Sequence, residues 1–473
     1  MPLPGHKTKI VATVGPASNS PAVLEAMIRA GMNVARLNFS HGDFTEHLSN
    51  IRNVRTAAAA AGRRVAIMAD LSGPKMRIGM LGVEKFTLRH GDPFTLTTDS
   101  ITGDERRVSV SFARLPEVVK KGDILSLNDG YIQLEVDSVT AADVNCTVIV
   151  GGELRSKKGL NLPGIDLGIG AFTERDRECL TFALENGVDA VSQSFVESAA
   201  DMIAVRKAAR DMGYDPFLIA KIERSRALDR LDEILDVSDG IMIARGDLGV
   251  EIPIERIAVV QKDVMRRANR RSRPVITATQ MLESMTTYRL PTRAEATDVS
   301  NAILDGTDCV MLSGESAMGA YPVEAVEMLA RIAATVEPTR RRISVREMYS
   351  GTELSPIVLP QHLISISVEA SLDFLKPAAV FARTDTGTSA RRLSGMRLPA
   401  WIIAVSPSEK SCQDLLFSYG ITPLRQPDPP PSWNAFVKEQ VSRFALPGAF
   451  AILTQRPSAI DPESNHRMEI VSL

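Results

Sequence analysis

The stretch SDGIMIARGDLGVEIP, residues 238–253, passes from a short apolar, β-branched run directly into an arginine, a glycine and an aspartate. It reads as a strand over 240–248 whose far end is polar. Seven more runs of this kind lie at 9–14, 34–39, 65–71, 188–195, 216–223, 274–280 and 309–315. Most are followed by stretches of helical period, among them 21–30, 173–185, 201–212 and 255–270. Residues 292–305 and 322–334 continue the alternation, the latter with proline near its start. Eight strand–helix units in order predict an α/β fold with a parallel sheet, and the number eight predicts closure into a (β/α)8 TIM barrel.

One segment breaks the rhythm. From Met76 to Leu167 the chain alternates in short, turn-rich pieces with little helical period. Strands are expected at 86–88, 93–97, 107–110, 124–127, 132–136 and 145–150. An all-β domain inserted after strand 3 would sit over the barrel mouth and act as a lid that excludes water. The expected division is a barrel of residues 1–71 and 170–338, a β-barrel lid of 72–169, and a C-terminal α/β domain of 339–473 with regulatory and interface roles. Within the last, 339–360 reads as a linker, 378–382 and 401–405 as strands, and the proline-rich 426–432 as a loop.

Composition excludes several function classes. The 55 basic and 57 acidic side chains leave a net charge of −2, so nothing favours nucleic acid or an anionic membrane. Cys146, Cys179, Cys309 and Cys412 are far apart and read as reduced thiols. No window approaches a membrane span and no leader precedes the first strand, so the expectation is a cytoplasmic enzyme.

Barrel chemistry belongs at the carboxyl ends of the strands and in the loops that follow. Strand 2 ends with Arg36, Asn38 and Ser40 on one face, by the two-residue period of a strand. Strand 5 ends with Lys221 and Glu223, strand 6 with Arg245, Gly246 and Asp247, strand 7 with Thr279, and strand 8 with Ser313 and Glu315. Two carboxylates and a lysine facing a barrel mouth are costly without partners. A divalent ion on Glu223 and Asp247 would remove that cost, and oxygen ligands favour Mg²⁺ or Mn²⁺. A plain salt bridge from Lys221 to the two acids is the alternative. Gly246 and Asp247, at a turn into a helix, offer backbone N–H groups to an anion. Arg36, Arg77, Lys157 and Lys158 can reach phosphates from above, whereas His41 alone reads equally as an ordinary loop histidine. No GxGxxG or Walker A pattern is present.

Taken together, these segments resemble the pyruvate kinases. The resemblance rests on ARLNFSHG (35–42), DLSGPKMR (70–77), SKKGLNLPG (156–164), KIE (221–223), the stretch 238–253, ATQMLESM (278–285), PTRAEATDVSNAILDGTDCVMLSGES (291–316) and GAYPVEAV (319–326), in family order and spacing. It implies conversion of phosphoenolpyruvate and ADP to pyruvate and ATP in glycolysis, by a homotetramer. It further implies that Glu223 and Asp247 hold Mg²⁺ or Mn²⁺, and that Lys221 neutralises the phosphoryl group in flight. Arg36 and Arg77 would clamp phosphates, and Gly246 and Asp247 would bind the substrate carboxylate. Thr279 would serve protonation of the enolate carbon, with Ser313 and Glu315 continuing the relay. His41 and Lys158 would meet the nucleotide. A metal-dependent aldolase would lack Lys221 and the insert, and a non-catalytic sensor would have lost Lys221, Glu223, Asp247 or Thr279.

Two departures stand out. Family members that need K⁺ bind it at positions matching Asn38, Ser40, Asp70 and a threonine, but Leu71 fills the threonine position here. Lys75 stands where those members carry glutamate, and its tethered ammonium can replace a monovalent ion, so K⁺-independent activity is expected. In the C-terminal region, Thr384, Thr386, Gly387, Thr388 and Ser389 keep the outline of a hydroxyl-rich phosphate loop leading into a helix, a candidate sugar-phosphate effector site. Asp385 within it opposes an anion.

Overall fold

The computed structural model describes residues 2–342, 344, 360–457, 463 and 465–473, so most of the linker expected up to residue 360 lies outside the described residues. The chain first lays down β1 (Lys9–Thr13), β2 (Met32–Asn38) and β3 (Ala66–Leu71). It then runs through β4 (Lys85–Leu88), β5 (Pro93–Thr97), β6 (Arg107–Ser109), β7 (Ile124–Leu127), β8 (Ile132–Val139), β9 (Asp143–Val150), β10 (Gly152–Arg155) and β11 (Leu160–Asn161). β12 (Ala190–Gln193), β13 (Phe217–Ile222), β14 (Gly240–Ala244), β15 (Val275–Ala278) and β16 (Cys309–Leu312) follow. The chain ends with β17 (Ala379–Arg383), β18 (Trp401–Ser406), β19 (Ile421–Arg425), β20 (Phe450–Gln455) and β21 (Arg467–Ser472).

β1, β2, β3 and β12 to β16 close into a barrel, with all strands parallel and β16 pairing back onto β1. The predicted eight strands are these eight, but several end early. The strand expected over 240–248 stops at Ala244, because Arg245–Glu251 winds into a helix in which Leu248 packs inward. Strands 5 and 7 stop at Ile222 and Ala278, which leaves Glu223 and Thr279 on the loops beyond them. Helix Phe44–Ala61 had no expectation attached to it. Its alanine-rich second half blurs the apolar period, yet an Asp43–Glu46 capping box marks its start.

The insert is all-β. It forms a six-stranded sheet in the order β11-β7-β8-β9-β5-β6 and a two-stranded ribbon of β10 with β4. Residues 76–79 run between the short edge strands β6 and β11: Ile78 bridges Val110 just after β6 and Arg77 bridges Gly159 just before β11, so the two edges of the sheet are joined. Phe94, Leu125, Leu134 and Val148 belong to its own apolar core. The C-terminal residues build a five-stranded sheet in the order β19-β18-β17-β20-β21. From this region Leu416 and Phe417 enter the core inside the barrel, beside Val11, Met68, Phe217 and Ile276. Among the described residues no helix is long and apolar enough to cross a membrane.

Candidate active site

The carboxyl end of the barrel gathers a buried charged group around Asp70, at the end of β3. Asp70 is 2% exposed; its Oδ2 accepts from Arg36 Nε at 2.8 Å and its Oδ1 from Ser192 Oγ at 2.7 Å. Arg36 Nη1 also donates to Thr13 Oγ1 at 2.9 Å. Lys221 Nζ lies 3.7 Å from Asp70 Oδ1 and 3.2 Å from Glu223 Oε2, and donates to Ser194 Oγ at 2.6 Å. Glu223 Oε1 accepts the Phe195 N–H at 2.6 Å, whereas its buried Oε2 has the ion-pair contact with Lys221 but no aligned hydrogen bond. Of the salt bridge considered from sequence, from Lys221 to Glu223 and Asp247, the Glu223 half forms, but the second acid is Asp70 and not Asp247, and a carboxylate oxygen of Glu223 is still left unsatisfied.

The electrostatics follow from burial and these neighbours. Burial pushes Asp70 up, but Lys221 and Arg36 outweigh it and hold the carboxyl below its usual range. Burial pushes the Lys221 ammonium down, and Asp70, Glu223 and Asp247 more than reverse this, bringing it up to about 12. In Glu223 burial dominates, Lys221 opposes it only in part, and the carboxyl is pushed up to about 7. Asp247, exposed in the first turn of helix Arg245–Glu251, is near enough to add to that rise. Among the described residues no cluster of three or more His, Cys, Asp or Glu is placed to hold a metal. Two carboxylates with an orphaned, easily protonated oxygen nevertheless suit a hard divalent cation that shares its other sites with substrate.

Positive charge converges above this group. Desolvation pushes His41 down, and Lys75, Arg77 and Arg36 push it further. Lys75 is itself lowered, by desolvation and then by Arg77, while Asp247 and Glu223 pull the other way. Arg77 Nη1 donates to Lys157 O at 3.2 Å and Lys158 O accepts the Ile78 N–H at 2.9 Å, so the turn carrying both lysines is tied to the Arg77 strand. Beside His41 opens a cleft of about 870 Å³, whose lining includes Gly15, Asn38, Asn50 and Met318. Asn38 Oδ1 accepts the Ser40 N–H at 3.1 Å, Ser40 Oγ pairs with Ser72 Oγ at 2.8 Å, and Leu71 is a buried apolar neighbour.

Across the mouth, Thr279 Oγ1 accepts the Gly246 N–H at 2.7 Å and donates to Ala278 O at 2.7 Å. That Gly246 donor, expected to face an anion, is therefore engaged by the threonine. Glu315 is fully buried, and its two oxygens accept the Leu282 N–H at 3.0 Å and the Ser313 N–H at 2.7 Å. This ties the end of β16 to the loop carrying Thr279. Sequence reasoning missed Thr13, Ser192, Ser194 and the Phe195 N–H. The signal for two of them was the polar SQS at 192–194 interrupting an apolar strand.

The C-terminal loop forms the turn between β17 and helix Thr388–Gly395, with Gly387 at a φ of 81° and Thr386 Oγ1 3.0 Å from Thr388 Oγ1. The hydroxyls of Thr384 and Ser389 are buried without hydrogen-bond partners. Ser389 lines a cleft of about 380 Å³ with Arg383, Arg392, Arg456 and His466.

Comparison with known proteins agrees with this geometry. Residues 5–326 match the pyruvate kinase barrel domain and 362–449 match the pyruvate kinase alpha/beta domain. A pyruvate kinase of Thermococcus litoralis is 49% identical over 425 residues, covering 90% of each chain. One of Clostridium acetobutylicum is 41% identical over 421 residues, covering 89% of this chain and 88% of the relative. The crystal structure of a pyruvate kinase from Cryptosporidium parvum superposes with a TM-score of 0.91 at 34% identity, covering 99% of this chain and 96% of the other. On sequence, fold and the disposition of its barrel mouth, the chain belongs to the pyruvate kinase family, the transferases that act on phosphoenolpyruvate.

Proposed function

We propose that the chain works in the cytoplasm as a glycolytic enzyme, moving the phosphoryl group of phosphoenolpyruvate to ADP with Mg²⁺ or Mn²⁺ and without K⁺. The observation that carries this is the buried Arg36–Asp70–Lys221–Glu223 group, with one Glu223 oxygen unsatisfied and its carboxyl pushed up to about 7. Glu223 and Asp247 are the residues to hold the divalent ion, which when bound offsets the negative charge of the substrate oxygens. Lys221 presents a firmly protonated ammonium to the phosphoryl group in flight, where fixed positive charge is worth most. Arg36 orients that group, and Arg77, His41 and Lys158 draw the nucleotide phosphates toward it. Residues 72–169 close over the mouth as a lid to exclude water, above a barrel of 1–71 and 170–338. Thr279 holds the proton exchanged with the enolate carbon, and Ser313 and Glu315 keep its loop in place. Gly246 and Asp247 meet the substrate carboxylate once Thr279 releases the Gly246 N–H.

Lys75, within electrostatic reach of Glu223, Asp247 and Lys221, supplies the charge that K⁺ brings elsewhere, and Leu71 removes one oxygen from that site. The test is ATP and pyruvate formation from phosphoenolpyruvate and ADP at fixed ionic strength. Chelation of divalent ions should abolish the rate, and exchanging K⁺ for tetramethylammonium should leave it unchanged. A large K⁺-specific stimulation overturns the role of Lys75.

A sugar phosphate at Thr384, Thr386, Gly387, Thr388 and Ser389 is the effector reading for residues 339–473, supported by the unpartnered hydroxyls and neighbouring arginines. Titration of sugar mono- and bisphosphates against the rate curve tests it. The exposed apolar side chains of Ile254, Val259, Tyr288 and Leu290 support a homotetramer, which sedimentation equilibrium tests.

A further inference from the structure

Thr279 and Gln280 have φ of 70° and 53°, the left-handed region that favours glycine. For a β-branched residue this is an outlier, and such a conformation costs on the order of 1–3 kcal/mol unless its surroundings impose it. Residues 278–281 contain no glycine to relieve it. The imposing group is Arg245, the first residue of helix Arg245–Glu251. Its Nη2 donates to Thr279 O at 3.0 Å and its Nε to Ala278 O at 3.4 Å. Its Nη1 donates to Asp298 Oδ1 at 2.7 Å, from helix Arg293–Asp305. The adjacent Gly246 N–H meets Thr279 Oγ1, so one turn of chain grips this threonine by carbonyl and hydroxyl together. The Arg245 side chain is 11% exposed, and Asp298 fixes it from the outer side.

We propose that Arg245, clamped by Asp298, is a positioning residue for the proton-transfer half of the reaction, a reading that rests on the role of Thr279 given above. The reaction has two halves. In the first, the bond from phosphorus to the enol oxygen breaks, a bond to the ADP oxygen forms, and the electron pair stays on the enolate. In the second, the methylene carbon of that enolate takes a proton and pyruvate forms. Arg36, Asp70 and Lys221 face the first half and share no residue with the Arg245–Asp298–Thr279 set. Loosening the clamp should slow the carbon–hydrogen step selectively.

The second half is read by itself as deuterium entering the methyl group of pyruvate in D₂O with enzyme, Mg²⁺ and ATP. Arg245→Met should lower that exchange about 100-fold, the usual consequence of misplacing a reacting group by an ångström. The KM values for phosphoenolpyruvate and ADP should stay within about 2-fold, and the forward rate should gain a solvent isotope effect. Arg245→Lys should restore part of the exchange, and Asp298→Asn should lower it less than Arg245→Met. Asp298→Asn carries the test should Arg245→Met fail to fold. Thr279→Ala is the control. Exchange lost in Thr279→Ala but kept in both clamp variants overturns the clamp alone. Exchange kept in Thr279→Ala overturns the reading of Thr279 and the clamp with it.

Discussion

The two ends of the barrel bury charge in opposite ways. At the amino end Arg397, 3% exposed, forks onto Asp308 with Nη1–Oδ1 and Nη2–Oδ2 distances of 2.7 Å. Asp308 Oδ1 also accepts the Tyr419 N–H at 2.9 Å and Oδ2 the Val275 N–H at 3.0 Å, so both oxygens are used twice. At the carboxyl end Glu223 keeps an unsatisfied oxygen, and Thr279 and Gln280 sit in strained backbone. Burial is equally deep at both ends; what differs is the carboxylate, whose oxygens are all used at Asp308, where it is Arg397 Nε that goes without a partner, and not at Glu223. A carboxylate with every oxygen used fixes one domain on another, and one with an oxygen left over leaves room for a ligand to complete it.

The sharpest way to break this comparison is Lys221→Met. It should reduce phosphoryl transfer about 1,000-fold, and an intact rate in the coupled assay would move the stabilising charge elsewhere. At the other end, Arg397→Met strands the buried Asp308 carboxylate and should cost about 3–5 kcal/mol in denaturant unfolding, with KM values unaltered. An activity loss without a stability loss would erase the contrast. Glu223→Gln should do the reverse. Its folded pKa of about 7 lies above the ordinary 4.5, so holding the charge costs free energy that grows from pH 4.5 and is complete above pH 7. In metal-free buffer at pH 8 the variant should therefore be more stable by about 1–3 kcal/mol, while losing its response to Mg²⁺. The smallest effect is expected from Lys9→Met. Burial lowers the Lys9 ammonium from 10.5 to about 8, although Ile421 O accepts from it at 2.7 Å. The native protein should gain stability as pH rises from 8 to 10.5, and Lys9→Met should flatten that slope, by about 1–2 kcal/mol.

The barrel was legible because its strands are nearly continuous apolar runs with polar ends, so Arg36, Lys221 and Glu223 could be placed on sequence alone. Strand ends were less legible. Leu248 and Val250 extend the apolar run of β14 although the chain has already turned helical at Arg245. Asp70 was read as part of a monovalent-ion region, and its place between Arg36, Ser192 and Lys221 depends on three strands meeting at one level. Arg245 lay in view inside the opening motif without a role, because its partners Thr279 and Asp298 come 34 and 53 residues later. Strands as short as β6 and β11, and the bridging pair Arg77 and Ile78 between them, carry too few residues for a two-residue period to show.

Phe417, stacked on Phe217 with ring centroids 5.2 Å apart, and Leu416 beside it finish the inside of the barrel from the far end of the chain. During translation, β16 leaves the ribosome well before they do. At about 5–20 residues per second the nascent barrel waits several seconds with its floor missing and apolar surface open to water. A message cut short after the eighth strand would yield a complete set of catalytic side chains on a bottomless scaffold, a product for the proteases and not a smaller enzyme.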